Sequence, residues 1–254
     1  HLLGSVHYNT GELAIALQHY QRSMALREKR GDSRGAAITL SNIGGVYDGI
    51  GNYPQALEKF HQALAIMQEL GDRKEVARIT GNIGVVYENT GNYKLSLECK
   101  QRSLSLYEEL NDRHGIAYSV GSLGTLFASM LRYTEALECY RRSLAIHEEL
   151  SNREAVARVT GNLILAMLNL GEFHEAERLL AEYERVHIVH PSTVINRLYA
   201  RAVIQIHAGE LDQAMETYRV ALQHARDSSN VPSQAAAHAN LRDLCQKRND
   251  FAGY

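Results

Sequence analysis

A chain of 254 residues with 45% apolar and 22% charged residues can bury a continuous core, and its net charge of -2 excludes the low-hydrophobicity, high-charge signature of disorder. The near balance of 27 basic and 29 acidic residues gives no footprint for nucleic acid or an anionic membrane, and no run of about 18 apolar residues is present to span a bilayer. Three cysteines without a CxxC or zinc spacing read as reduced thiols, which points to the cytoplasm.

Along the chain one pattern recurs. Gly11-Glu12-Leu13, Gly51-Asn52-Tyr53, Gly91-Asn92-Tyr93, Leu131-Arg132-Tyr133 and Gly171-Glu172-Phe173 stand 40 residues apart, Gly209-Glu210-Leu211 follows after 38, and Asn249-Asp250-Phe251 after another 40. Upstream of each turn runs a ladder of Leu3-Gly4, Ile43-Gly44, Ile83-Gly84, Leu123-Gly124 and Leu163-Ile164. Downstream come Ala16, Ala56, Ser96, Ala136, Ala176 and Ala214, then Tyr20, Phe60, Lys100, Tyr140, Leu180 and Tyr218. A fixed period of this length is the signature of a repeat architecture.

Each period reads as two helices. In helix A, Glu75 to Thr90, the residues Val76, Ile79, Ile83, Val86 and Tyr87 fall on one apolar face. A Gly-Asn-Tyr turn stops it, and Pro54 suits the first turn of helix B. Helix B carries Ala56, Leu57, Phe60, Ala63, Leu64, Met67 and Leu70 and ends at residues that tolerate the left-handed conformation, Gly31, Gly71 and Asn111. Asp32, Asp72, Asp112 and Asn152 follow as N-caps of the next helix A. The predicted organisation is a partial unit at 1–30, five A–B pairs at about 34–71, 74–110, 114–150, 154–187 and 192–229, and a partial unit at 233–254, forming one solenoid. His1 falls inside a helix A and Tyr254 just inside a helix B, so a segment of a longer protein is expected. The stretch Val186 to Val194, with His190-Pro191, marks a register break.

With Ile43, Gly44, Tyr47, Gly51, Tyr53, Ala56, Phe60 and Ala63 at their places in the second unit, the pattern resembles the tetratricopeptide repeat. The 40-residue period exceeds the usual 34, as in the long repeats of kinesin light chains, spindle-orientation adaptors and bacterial signalling arrays. The resemblance implies an all-α, right-handed superhelical solenoid of antiparallel helix pairs whose A helices line a concave, peptide-binding groove. It implies a non-enzymatic scaffold; the alternatives are a regulatory region of a multidomain cyclase or kinase, and a solenoid that self-assembles through its ends.

On the A helices, two positions before the glycine ladder, lie Asn42, Asn82, Ser122 and Asn162, and six positions before it Ile38, Arg78, Tyr118 and Arg158. Asp48 and Glu88 follow it by four, and the spacing puts all of these on one stripe. A carboxamide both donates and accepts, so Asn42, Asn82 and Asn162 suit a peptide backbone, while Arg78 and Arg158 suit acidic side chains of that peptide. With helices about 8–10 Å apart the two arginines would be on the order of 20 Å apart. That is roughly six residues of extended chain at about 3.3 Å each. The candidate peptide-binding set is Asn42, Arg78, Asn82, Glu88, Tyr118, Arg158 and Asn162. The same Asn column fits helix-to-helix packing equally well, and the arginines fit ordinary surface ion pairs.

No catalytic set can be assembled, and no cofactor or metal is implied. Thr80-Gly81-Asn82-Ile83-Gly84 lacks a phosphate-loop lysine and lies within a predicted helix. His147-Glu148-Glu149 has Ser151 where HExxH needs its second histidine, and His187 and His190 have no ligand partners at metal spacing.

Overall fold

A computed structural model describes residues 2, 4–5, 12–184, 191–228 and 231–252. Among these the regular elements are helices only: α1 Leu13–Lys29, α2 Ser33–Gly49, α3 Tyr53–Glu69, α4 Arg73–Asn89, α5 Tyr93–Glu109, α6 Arg113–Ser129, α7 Tyr133–Glu149, α8 Arg153–Asn169, α9 Phe173–Glu184, α10 Pro191–His207, α11 Leu211–Asp227 and α12 Val231–Ala252. Seventeen-residue helices such as α2 and α3, joined by turns such as Ile50-Gly51-Asn52, account for the 40-residue period. The chain falls into two compact units, His1–Met130 and Leu131–Tyr254. No helix among the described residues is long and apolar enough to cross a membrane. His187, His190 and the centre of the expected register break lie outside the described residues.

The helix ends follow from the residues at the turns. Asp32, Asn52, Asp72, Asn92, Asp112 and Asn152 each accept a hydrogen bond from the backbone N–H three residues on, at 2.9 to 3.4 Å. These bonds satisfy amides that the first helical turn leaves without a partner. On the other side of the turn the backbone closes back on the outgoing helix, as where Asn52 N–H donates to Tyr47 O at 2.8 Å and Gly51 N–H to Asp48 O at 2.9 Å. Gly51 takes φ 79° there, which a glycine does without strain. The fourth turn departs from this chemistry: Leu131 takes φ 60° with its side chain 73% exposed, and Arg132 makes no side-chain cap.

Packing within a repeat depends on the two columns of small residues. Ala16, Ala56, Ser96, Ala136, Ala176 and Ala214 are all fully buried. In the first unit a methyl group on Gly44 would meet the Phe60 ring at 3.0 Å, and one on Gly84 would meet Lys100 Cγ at 3.0 Å. The third column, Tyr20, Phe60, Lys100, Tyr140, Leu180 and Tyr218, is buried in every repeat. Where the glycine column changes to Ile164, the third column holds the smaller Leu180, and both are buried. Ala37, Leu40, Phe60, Met67, Ile79, Ile83 and Val86 form a core across α2, α3 and α4, with Tyr47 and Tyr87 packed at its edge. In the second unit Ala202, Ala214, Met215, Tyr218 and Leu244 play the same part for α10, α11 and α12.

One expected turn is absent. Asn249-Asp250-Phe251 lies inside α12, which runs on to Ala252. A turn forfeits helical hydrogen bonds and forms only where packing offsets that loss.

The N-caps of the first unit also join successive repeats. Arg34 Nη2 pairs with Asp72 at 2.8 Å and Lys74 Nζ with Asp112 at 2.7 Å. Burial pushes the Asp72 carboxyl up, but the Glu75 N–H and the Arg34 guanidinium outweigh it and hold it below the usual range. Lys74, and after burial is offset the Gly115 N–H, do the same for Asp112. A carboxylate depressed on folding contributes stability that is present above its unfolded value, about 3.9, and lost as pH falls through the folded one. The thermal midpoint is therefore expected to drop between pH 5 and 3, and Asp72→Asn/Asp112→Asn, which keeps the caps, should make that drop shallower. Separately, Leu131→Gly/Arg132→Asn should raise stability by about 1–2 kcal/mol, by relieving the left-handed leucine and restoring a cap, as read in urea melts.

Candidate functional site

Five of the seven candidate residues, Asn42, Arg78, Asn82, Glu88 and Tyr118, belong to the first unit and two, Arg158 and Asn162, to the second. All lie on A helices: Asn42 on α2, Arg78, Asn82 and Glu88 on α4, Tyr118 on α6, Arg158 and Asn162 on α8. Local contacts decide which of them are already engaged within the protein.

Glu88 is drawn into the repeat packing. Its carboxylate accepts from Lys100 Nζ and, at 2.8 Å, from Ser129 Oγ. Lys100, 2% exposed, also donates to Ser122 O at 3.0 Å, so the ammonium ties α5 to α4 and α6. Burial lowers the Lys100 pKa, with Glu88 pulling it back up. Lysine thus stands in a column of rings because its stem fills their space and its charge is met by Glu88. The equivalent acid one repeat earlier, Asp48, accepts from Asn89 Nδ2 at 2.9 Å, and burial raises its pKa. The two acids of the stripe are therefore joints between neighbouring A helices.

Arg78 is paired within its own helix. Its Nε and Nη2 both donate to Glu75 Oε2, at 2.9 and 2.7 Å. Arg158 has Ala155 where Arg78 has Glu75, and carries no ion pair among the described residues. Asn162 Oδ1 accepts from Asn196 Nδ2 of α10 at 3.2 Å. Allowing for the 38-residue step, Asn196 is the counterpart of Arg78 and Arg158, so one stripe position contacts another in the next repeat. Asn42 and Asn82 are half-buried, and Tyr118 is 47% exposed.

Asn196, Ser129 and Lys100 escape a reading of the stripe alone. The signal for Lys100 is a charged residue in a ring column; Asn196 is hidden by the two-residue shift of register. The sequence Thr80 to Gly84 is helical, as expected. Burial pushes the Cys99 and Cys139 thiols up, away from the reactive thiolate, and Cys245 is a free, exposed thiol.

Cavities open on the B-helix side. One of about 650 Å³ in the first unit is bounded by Met24 and Glu28 of α1, Leu40 of α2 and Lys59 and Gln62 of α3. One of about 630 Å³ in the second is bounded by Glu148 of α7, Arg153 and Val156 of α8 and Leu179, Glu182 and Tyr183 of α9. These are corresponding places, 120 residues apart at Glu28 and Glu148, and neither includes any of the seven stripe residues.

The family model that matches the chain is the tetratricopeptide repeat, over residues 1–69 and 75–149. No curated protein sequence matches it. Among solved structures, a Rap protein complexed with Competence and Sporulation Factor superposes with a TM-score of 0.71 at 16% identity, covering 97% of this chain and 74% of that one. The Rap conjugation gene regulator of plasmid pLS20 in complex with the Phr* peptide gives 0.69 at 15% identity, over 83% and 59% of the two chains. A kinesin light chain with nearly identical TPR-like repeats from Podosopora anserina gives 0.55 at 17% identity, over 72% and 91%. At these identities the likeness is one of fold.

Replacing Lys100 by Ala should cost about 3–5 kcal/mol, because the Glu88 carboxylate is left buried without its cation. Lys100→Tyr/Glu88→Ala reproduces the Tyr140 and Ala128 of the next repeat and should fall within about 1–2 kcal/mol of the parent or above it, as judged by chemical denaturation.

Proposed function

As the chain belongs to the tetratricopeptide repeat family, we propose that it is a non-catalytic protein-interaction module that holds a peptide or an extended partner segment along its A helices. The observation that carries this reading is Tyr118, a large ring left 47% exposed on α6 at the register where Arg78 makes its ion pair. Exposed aromatics are the side chains that most often anchor a partner. Asn82, half-buried one repeat earlier on α4, offers a donor and an acceptor to a peptide backbone. Arg78 is held by Glu75, so within the first unit the stripe offers a partner Asn82 and Tyr118 rather than a free guanidinium. The Phr* peptide bound by the structurally similar Rap regulator supports a peptide as the kind of ligand. The free thiols are compatible with work in the cytoplasm.

Affinity capture from the source lysate with the wild type and with Asn82→Ala/Tyr118→Ala tests the reading. Both positions are off the core, so the variant should keep its helical circular dichroism. A specific prey should be retained by the wild type and weakened about tenfold or more in the variant, as for loss of an aromatic anchor. Undiminished capture by the folded variant would move the site off the A helices.

A further inference from the structure

A repeat protein contains its own controls, because residues needed for packing recur at each period. Around the cavity of the second unit several do not. Position 183 is Ala63, Ser103 and Ser143 in the earlier repeats but Tyr183 here. Position 182 is Gln62, Arg102 and Arg142 but Glu182 here, a reversal of charge, and position 179 is Lys59, Cys99 and Cys139 but Leu179 here. The counterpart of Arg153, Arg73, pairs with Glu109. Neither Glu148, Glu182 nor Arg153 makes an ion pair among the described residues.

Packing accounts for the Tyr183 ring, whose edge lies at Gly161 of α8, but not for its hydroxyl. Ser103, its small counterpart, donates to Ala77 O at 2.8 Å. Tyr183 is 4% exposed and its hydroxyl has no hydrogen-bond partner among the described residues, which costs stability. The ring nevertheless lines the cavity, beside Leu179 on the same face of α9 and with Val156 of α8. Three departures from the repeat thus meet, beside Arg153, at one opening of about 630 Å³, within the size range of small-molecule sites.

We infer that this cavity binds a small zwitterion with an apolar body, of the size and chemistry of an aromatic amino acid. Glu148 and Glu182 supply two carboxylates for its ammonium, and Arg153 a guanidinium for its carboxylate. Val156, Leu179 and the Tyr183 ring supply the apolar walls. The site is on the B-helix side and independent of the peptide reading of the A helices.

The test uses the full chain and L-phenylalanine as probe, followed by saturation-transfer NMR, with phenethylamine and 3-phenylpropionate as analogues lacking one charge each. Saturable binding of L-phenylalanine is expected, with each analogue about tenfold weaker or more, the size of a lost charge-assisted hydrogen bond. Glu182→Arg and Leu179→Lys install residues that sister repeats already carry at these positions, so their melting curves should stay near the parent's while binding falls about tenfold or more. Absence of saturable binding up to tens of millimolar, equal binding of the three probes, or unaltered affinity in both folded variants would each overturn the assignment.

Discussion

Every repeat rests on the close approach of two helices, which requires that one of them carry almost no side chain at the crossing. Gly44 and Gly84 lie so near Phe60 and Lys100 that a single methyl group would press against them, and the Ala56 column is sealed from solvent. Interiors are packed at near-crystalline density, so volume conceded on one helix is taken up on the other. The Ile164 and Leu180 exchange shows the same rule with the sizes shifted. A hairpin built this way still has an apolar stripe on its outer side, and only the next hairpin can cover it; the core across α2, α3 and α4 is that covering.

Close approach also determines the fate of polar groups. Once A helices stack, whatever stands on their facing edges meets the neighbour first. Asp48 finds Asn89, Glu88 finds Lys100 and Ser129, and Asn162 finds Asn196. These groups have the residue types of a ligand site and the surroundings of a joint. Lys100 goes furthest, since a cation stands where other repeats place a ring and its charge is met by an acid of the adjacent helix. A hydrophobic pair would serve stability as well, and what the ion pair adds is direction: the ammonium must find Glu88 and the Ser122 carbonyl together.

The local layer was legible because turns and caps are short-range chemistry. Asp32, Asn52 and Asp72 cap the helices they precede, and glycines take the left-handed positions, as the residue types require. The last turn was misread at Asn249, because a turn residue permits a reversal and the packing of a following helix enforces it. The candidate stripe was legible as a face of the A helices but not as a set of available groups. Periodicity says that Arg78 and Arg158 are equivalent; a glutamate three residues before one and an alanine before the other makes one paired and the other not. The register shift before α10 hid Asn196 altogether, and the B-helix cavities have no linear motif, being the space that three helices leave between them.

By itself the sequence determined the period, the helix-turn-helix unit, the identity of the small and large columns, and membership of the tetratricopeptide repeat family. These depend on interactions within about one turn of a helix, or between positions a fixed number of residues apart, and a one-dimensional pattern can hold both. The tertiary structure alone decided which polar side chains are spent on neighbouring repeats, which ring remains exposed, and where an opening remains between B helices. Those outcomes depend on distances between atoms of different helices, and a shift of a few ångströms separates an ion pair from a free charge.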